Sequence, residues 1–244
     1  MDDMQMMGHY EDMGSSMDGD YYQRFDPLLF KHKPYLAEYV RQGLERVFSG
    51  IDRPGRMADL GCGTGFYYPV LAPMADRIWG VDFSGEMLQG ARRVLAENGI
   101  GNVHLLRGDC RKLPLKNGSM DAVFSWDVLH HVTGPEGIDH MVKEIHRVLG
   151  PGGVYVGLEP NMLNPTMVFY CLMRPEEHGA LTLHSRYLAR RFSEIFSGVK
   201  LIPNNTIISY VDQRKIWIVN GLDRMLSRWP LRPLAFREVL LAFK

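Results

Sequence analysis

The chain has 244 residues, with 28 basic side chains, 28 acidic side chains and 45% hydrophobic residues. This length suits one α/β domain with an embellishment, and the apolar content excludes a chain that is disordered throughout. The balanced charge gives no electrostatic argument for a nucleic-acid partner.

The cysteines and the start of the chain bear on its compartment. Cys62, Cys110 and Cys171 form no CxxC pair and no metal-binding spacing, as is typical of reduced thiols. The acidic first residues lack the basic and apolar regions of a secretory signal, and no apolar run approaches the roughly 18 residues of a transmembrane helix. The sequence therefore predicts a cytoplasmic protein without a metal site, and it leaves the oligomeric state open.

The first segment differs in composition from the rest. Residues 1–30 are rich in Met, Asp, Gly and Ser without periodicity, which predicts a flexible tail or lid. Tyr10, Tyr21 and Tyr22 are its candidates for contact with a ligand. Apolar residues then repeat on one face from Pro34 to Phe48, and this pattern predicts a helix. We expect one domain over residues 31–244.

From Arg56 onward, apolar strands alternate with helical patterns. Strands are predicted at 57–60, 78–81, 103–106, 122–125 and 154–158, and helices at 64–72, 86–97 and 138–149. The short connections between them predict a Rossmann-like, doubly wound α/β fold with a mostly parallel sheet and helices on both faces.

The pattern changes after Leu158. Prolines interrupt residues 159–184, which are predicted as an irregular helical cap. A helix follows at 185–196 with Ser185 as its cap, then a strand at 200–209, a helix at 213–228 and a strand at 236–243. Segments 159–184 and 210–235 are predicted insertions for binding the substrate.

The strongest local signal is the run from Asp59 to Gly65, which reads DLGCGTG. Glycines at a strand-to-helix turn let the backbone pass close to a ligand. The spacing is GxGxG, whereas the dinucleotide fingerprint GxGxxG would need a glycine where Phe66 stands. This departure weakens a nicotinamide interpretation.

Acidic residues follow the next two strands. Asp82 ends the second strand, where a carboxylate can accept hydrogen bonds from both hydroxyls of a ribose. Asp109 ends the third strand region, where its carboxylate could accept from an adenine amino group and the Cys110 amide could donate to the ring. The fourth strand ends in Ser125-Trp126-Asp127. Because ligands of open α/β folds bind at the carboxyl edge of the sheet, we expect one site there.

The order DLGCGTG, GVDFSGEML, GDCRKLP, DAVFSWDVLHHV and RVLGPGGVYV resembles class I S-adenosylmethionine (SAM)-dependent methyltransferases, especially those acting on small molecules. The resemblance covers residues 34–158, and we expect it to continue to the C-terminus. It implies SAM as the cofactor and an antiparallel last strand at 236–243. The residues that it assigns to the cofactor are Asp59, Gly61, Cys62, Gly63, Gly65, Asp82, Phe83, Met87, Asp109, Cys110, Trp126 and Leu129.

Methyl transfer from a sulfonium mainly requires that the two partners be positioned and water excluded. A base is needed only if the acceptor must lose a proton. Candidate catalytic residues are Glu159, His131 and His184, with His130 and His178 as further histidines. Glu159 ends the fifth strand and is predicted to contact the substrate, whereas packing is the alternative interpretation of His130 and His131.

The region after the fifth strand contains the candidate residues for binding the acceptor. Met167, Phe169, Tyr170 and Met173 predict either an apolar acceptor pocket or ordinary core. The basic residues Arg186, Arg190 and Arg191 could meet an anionic group or form a solvated face. We expect metal-independent methylation of a small molecule with an apolar or anionic part. The alternatives are a lipid-like acceptor at a membrane surface, a non-catalytic SAM-binding module and a nicotinamide oxidoreductase.

Overall fold

A computed structural model describes Gly8 and residues 26–132, 134–205, 216–226 and 230–244. Most of the predicted tail, including Tyr10, Tyr21 and Tyr22, lies outside these residues. The end of that segment belongs to the folded domain, because Leu29 and Phe30 are each 6% exposed and pack in the core. They lie in a short helix, α1 (Leu29–His32).

One seven-stranded sheet forms the centre of the protein. Its strands are β1 (Arg56–Leu60), β2 (Arg77–Asp82), β3 (Val103–Arg107), β4 (Met120–Trp126), β5 (Leu149–Pro160), β6 (Gly198–Asn204) and β7 (Arg237–Phe243). Their order is β3-β2-β1-β4-β5-β7-β6. The first five strands pair in parallel, and β7 runs antiparallel to both β5 and β6. The predicted fold class and the antiparallel last strand are confirmed.

Helices bound the sheet and supply the cap. They are α2 (Pro34–Val47), α3 (Tyr68–Leu71), α4 (Gly85–Asn98), α5 (Gly134–Val148), α6 (Pro165–Leu172), α7 (Gly179–Thr182), α8 (Ser185–Ser193) and α9 (Ile216–Leu226). Successive strand residues serve opposite faces, so Met57 joins one hydrophobic cluster and Ala58 the other. Leu44 of α2 packs in the first cluster, and Ile145 of α5 packs in the second.

The helix predicted at 64–72 is wrong over its first four residues. Gly65 adopts a left-handed φ of 60°, which keeps the chain out of the helix until Tyr68. Four helical residues follow, and the next three, Ala72–Met74, form a 3₁₀ turn that contains Pro73. The glycine run is therefore a longer loop than predicted.

Other boundaries also move. Helix α5 starts at Gly134, and β5 starts at Leu149 because Met120 pairs with Leu149 before a register shift in the ladder. His184, not Ser185, caps α8, since its Nδ1 accepts from the Tyr187 amide at 3.3 Å. The predicted strand at 200–209 and helix at 213–228 correspond to β6 and α9, and residues 206–215 lie outside the described residues.

No helix in the described part of the chain combines the length and the apolar character needed to cross a bilayer.

Candidate active site

The glycine loop after β1 has the conformation that close ligand approach requires. Gly61, Gly63 and Gly65 have φ values of 64°, 52° and 60°. A Cβ on Gly61 would lie 2.6 Å from Cγ2 of Val128. The loop therefore packs directly on Val128, which follows the end of β4. A Cβ on Gly63 would instead point into open space, with no heavy atom within 4 Å. The loop thus leaves room above Gly63.

Asp82 joins this loop to the next helix. Its Oδ2 accepts from the Gly63 amide at 2.8 Å, and its Oδ1 accepts from the Ser84 amide at 2.9 Å. The side chain is 6% exposed, and this burial raises the pKa of Asp82 although the amides lower it. Ser84 in turn caps α4 by accepting from the Met87 amide at 3.2 Å. The predicted residues Asp82, Phe83 and Met87 are therefore placed together beside the glycine loop.

Asp59 lies beneath the loop with no exposed surface. The hydroxyl of Tyr67 donates to its carboxylate, at 3.1 Å from each oxygen. Burial raises the pKa of Asp59 to about 7, and hydrogen bonding offsets only part of this effect. In this conformation the Asp59 carboxylate is hydrogen-bonded to Tyr67, at the end of the loop. Its implied contact with the methionine amino end stays a prediction.

We predict that Asp59→Asn changes the pH dependence of stability. The folded-state pKa of about 7 exceeds the ordinary value of 3.8, so ionisation costs the folded state more than the unfolded one. The wild type should therefore lose stability between roughly pH 4 and pH 7 as the pH rises. The variant lacks this loss and should gain up to about 4 kcal/mol relative to the wild type across that range. Urea unfolding at several pH values measures the difference.

The exposed Asp52 provides the matched control for this experiment. Asp52→Asn should follow the wild-type pH profile. Parallel profiles for the wild type and Asp59→Asn would show that Asp59 ionises normally in the folded protein.

The third and fourth strand ends supply the remaining predicted cofactor residues. Asp109 is half-exposed and pairs with Arg111 at 2.8 Å; partial burial raises its pKa, but the guanidinium lowers it below the usual value. Trp126 is 6% exposed and stacks on Tyr67 with the ring centroids 5.8 Å apart. Its buried Nε1 has no hydrogen-bond partner among the described residues. An adenosyl ligand fits this edge, because the space above Gly63, the Asp82 carboxylate and this indole donor lie at the ends of β1, β2 and β4, which are neighbours in the sheet.

Glu159 occupies a different setting from the predicted one. It is 1% exposed, and its Oε1 accepts from the amides of Val128 and Leu129 at 3.2 and 2.9 Å. Its Oε2 lies 2.5 Å from Nδ1 of His130. Glu159 thus has partners within the protein in place of the predicted acceptor contact, and a base role for it stays a prediction.

His130 connects this buried carboxylate to the cap. Its Nε2 lies 3.0 Å from Oε2 of Glu177, which ends a 3₁₀ turn at Pro175–Glu177. Burial lowers the pKa of His130, but the two carboxylates outweigh burial and raise it to about 10. The sequence analysis missed Glu177, since it lies 47 residues from His130 and no local spacing marks the pair.

The other candidate bases are divided between two places. His131 is partly buried, and its ring centroid lies 4.0 Å from that of His130. His184 serves as the cap of α8, and the exposed His178 lies 3.3 Å from the Leu172 carbonyl. The structure therefore brings only His131 into the group formed by His130, Glu159 and Glu177, and the base roles of His131 and His184 stay predictions.

A strained turn follows β4. Asp127 has a φ of 52°, the one positive value of a non-glycine residue in the described part of the chain. Arg237 of β7 holds its carboxylate with two hydrogen bonds of 3.1 and 2.6 Å. Backbone strain at such a place often accompanies function. Sequence analysis could not find this pair, since the two residues are 110 positions apart.

The cap exposes much of its apolar surface. Phe169 and Met173 are 65% and 67% exposed, so they are not the ordinary core that one interpretation predicted. Trp217 of α9 is 69% exposed. Every exposed large hydrophobic residue of the described chain lies at 163–173, at 217–225 or at 234. Of the predicted basic residues, Arg191 pairs with Asp139, whereas Arg186 and Arg190 are exposed.

Comparison with known proteins finds a methyltransferase domain in this chain. Residues 57–153 match the family model described as a methyltransferase domain. The demethylmenaquinone methyltransferase of Geobacillus kaustophilus is 30% identical over 152 residues, covering 59% of this chain and 61% of that protein. The ubiquinone/menaquinone biosynthesis C-methyltransferase of Geotalea daltonii is 34% identical over 136 residues, covering 48% and 56%. The chain thus spans less than two thirds of the length of these relatives.

The fold extends beyond the matched segment. A methyltransferase of Haloferax volcanii, solved in complex with the Trm112 activator, superposes with a TM-score of 0.63 at 16% identity, covering 96% of both chains. At this identity the likeness concerns the fold alone. It includes the strands that follow residue 153, which lie outside the sequence match.

Proposed function

We propose that this chain, whose residues 57–153 match a methyltransferase domain, is a class I SAM-dependent methyltransferase that transfers a methyl group from SAM to a small-molecule acceptor with an apolar or anionic part. One observation carries this proposal: the Asp82 carboxylate holds the Gly63 amide at 2.8 Å, beside open space above Gly63. A buried acid next to a close-approach glycine suits the hydroxyls of a ribose such as that of SAM.

The chain's residues position and enclose the reactants. Bound SAM supplies a methyl group already activated on a sulfonium. Asp82 accepts hydrogen bonds from the ribose hydroxyls, while the glycine loop and the buried Trp126 line the ligand on either side. Segment 159–184 covers the same edge of the sheet and excludes water from the acceptor. A base is needed only where the acceptor atom must lose a proton, so the need for one depends on the acceptor.

Calorimetric titration of the purified protein with SAM, S-adenosylhomocysteine and NADH tests the cofactor. We expect binding of both adenosyl ligands and none of NADH. Binding of NADH alone would instead favour the nicotinamide oxidoreductase.

The formation of S-adenosylhomocysteine with a panel of acceptors tests the transfer. Turnover of SAM with at least one small molecule separates an enzyme from a non-catalytic SAM-binding module. Tight SAM binding without turnover on any small acceptor would count against the small-molecule proposal.

A lipid-like acceptor at a membrane surface is a second candidate, favoured by the exposed apolar residues of α6 and α9. Aromatic and long apolar side chains on exposed helices suit insertion into the interfacial region of a bilayer. Both curated relatives described above are named for quinone methylation, which concerns apolar acceptors.

Co-sedimentation with anionic vesicles tests this candidate. Trp217→Asp should reduce binding. As a control, Gln89→Asp places the same charge on the exposed face of α4 and should bind like the wild type. Absence of binding by the wild type would exclude the candidate.

A further inference from the structure

Three potential metal ligands converge between the sheet edge and the cap. His130 and His131 share the 3₁₀ turn Leu129–His131 that follows β4. Glu177 arrives from the turn Pro175–Glu177 in the cap. One donor atom from each residue lies within 4.8 Å of the other two. We propose that His130, His131 and Glu177 bind a divalent transition-metal ion such as Zn²⁺.

The spacing of the donors suits such an ion. Zinc binds imidazole nitrogen and carboxylate oxygen at about 2.0–2.2 Å, so two ligand atoms of a tetrahedral site lie roughly 3.3–3.6 Å apart. Nε2 of His130 and Oε2 of Glu177, at 3.0 Å, are already near this spacing. A donor pair at the 4.8 Å limit would have to approach by roughly 1 Å. Two imidazoles and one carboxylate favour zinc or a neighbouring transition metal over calcium or magnesium, which prefer oxygen ligands.

Glu159 supplies the support that metal-binding histidines usually have. Its Oε2 lies 2.5 Å from Nδ1 of His130, and the backbone amides of Val128 and Leu129 hold its other oxygen. A carboxylate on one ring nitrogen fixes the tautomer and directs the other nitrogen to the metal. The Nε2 of His130 accordingly faces Glu177 at 3.0 Å.

The charges of the surrounding side chains also match that of a divalent ion. The side chains of Glu159 and Glu177 are 1% and 15% exposed, and each is a carboxylate in contact with His130. With both histidines neutral, the two carboxylates match the charge of one divalent cation. The nearby cation Arg237 forms an ion pair with Asp127 at 2.6 Å. A metal would replace the proton now shared between His130 and Glu177.

Three protein donors leave a coordination position open, as in catalytic rather than closed structural zinc sites. The site lies at the carboxyl edge of the sheet, where the acceptor is proposed to bind. An acceptor oxygen could fill the open position, and this step rests on the proposed function. Binding of the ion itself does not depend on it.

Titration of the metal-free protein with Co²⁺, followed by visible absorption and calorimetry, tests the site without SAM or acceptor. We expect saturable binding of one ion, weakened at least about tenfold in His131→Asn and in Glu177→Gln, and about 10- to 100-fold in Glu159→Gln. His178→Asn, an exposed histidine next to Glu177, should bind like the wild type. Circular dichroism and melting of the metal-free variants establish that each is folded.

The proposal fails if the wild type shows no saturable binding, or if Glu177→Gln and His131→Asn bind Co²⁺ as the wild type does. Thiolate-to-cobalt charge-transfer bands would also overturn it, because they would assign binding to a cysteine. These readouts do not involve methyl transfer. Failure of the site therefore leaves the proposed function standing, and failure of the proposed function leaves the site standing.

Discussion

Asp82→Asn should weaken SAM binding by at least about 100-fold. The carboxylate accepts from the amides of Gly63 and Ser84, and a bound ribose would add two hydroxyl donors. Asparagine carries an NH₂ group in place of one carboxylate oxygen. This donor would face either a backbone amide of Gly63 or Ser84, which also donates, or a ribose hydroxyl that needs an acceptor. Two lost charge-assisted hydrogen bonds of about 1.5 kcal/mol each amount to about 3 kcal/mol, or roughly a hundredfold in affinity. Calorimetry with SAM measures the loss.

Asp76, directly before the same strand, offers a matched control. It precedes β2 at the opposite end, is largely exposed and pairs with Arg53 at 2.6 Å. Asp76→Asn should bind SAM like the wild type, since a surface ion pair contributes little. Binding by Asp82→Asn within threefold of the wild type, with its melting temperature retained, would show that Asp82 does not hold the ligand.

Gly179→Ala should destabilise the protein by about 3 kcal/mol and detach the cap from the sheet edge. A Cβ at this position would lie 1.7 Å from the carbonyl oxygen of His130, and a backbone atom cannot move aside as a flexible side chain can. The helix α7 must therefore shift away from the turn that carries His130. Chemical denaturation measures the loss of stability. Turnover at saturating SAM should fall as well, while SAM affinity changes less, because Gly63 and Asp82 lie at the ends of β1 and β2 rather than in the turn after β4.

Gly101→Ala is the control for this substitution. A Cβ there meets no atom within 4 Å, and the residue does not have a positive φ. We expect its stability to lie within about 0.5 kcal/mol of the wild type. If Gly179→Ala matched this control, the contact between the cap and His130 would contribute nothing to the fold.

The parallel part of the sheet could be predicted because its signals are local. Each strand from β1 to β5 is a short apolar run bounded by turn residues, and each predicted strand overlaps the observed one. Helix boundaries were less accurate, as at Gly65, where a left-handed residue delays the helix to Tyr68. A backbone conformation of this kind depends on what packs against the loop, which the sequence does not show.

The environment of Glu159 illustrates a second limit on what the sequence can predict. Its position at the end of a strand predicts that it reaches the site edge, but the partners of its carboxylate come from the turn after β4. The predicted absence of a metal site rested on spacing along the chain. Metal ligands, however, need only meet in space, and Glu177 reaches His130 and His131 through the folding of the cap.

The fold class could be predicted from the sequence alone, and so could the sheet edge proposed for the cofactor. Asp59, Gly63 and Asp82 could be placed at strand ends because the carboxyl ends of parallel strands meet at one edge. The pairs across the proposed acceptor side, Asp127 with Arg237 and His130 with Glu159 and Glu177, became visible in the folded protein. The physical reason is that cofactor binding uses backbone geometry encoded in a contiguous motif. The acceptor side depends instead on charges that come together only when distant segments pack.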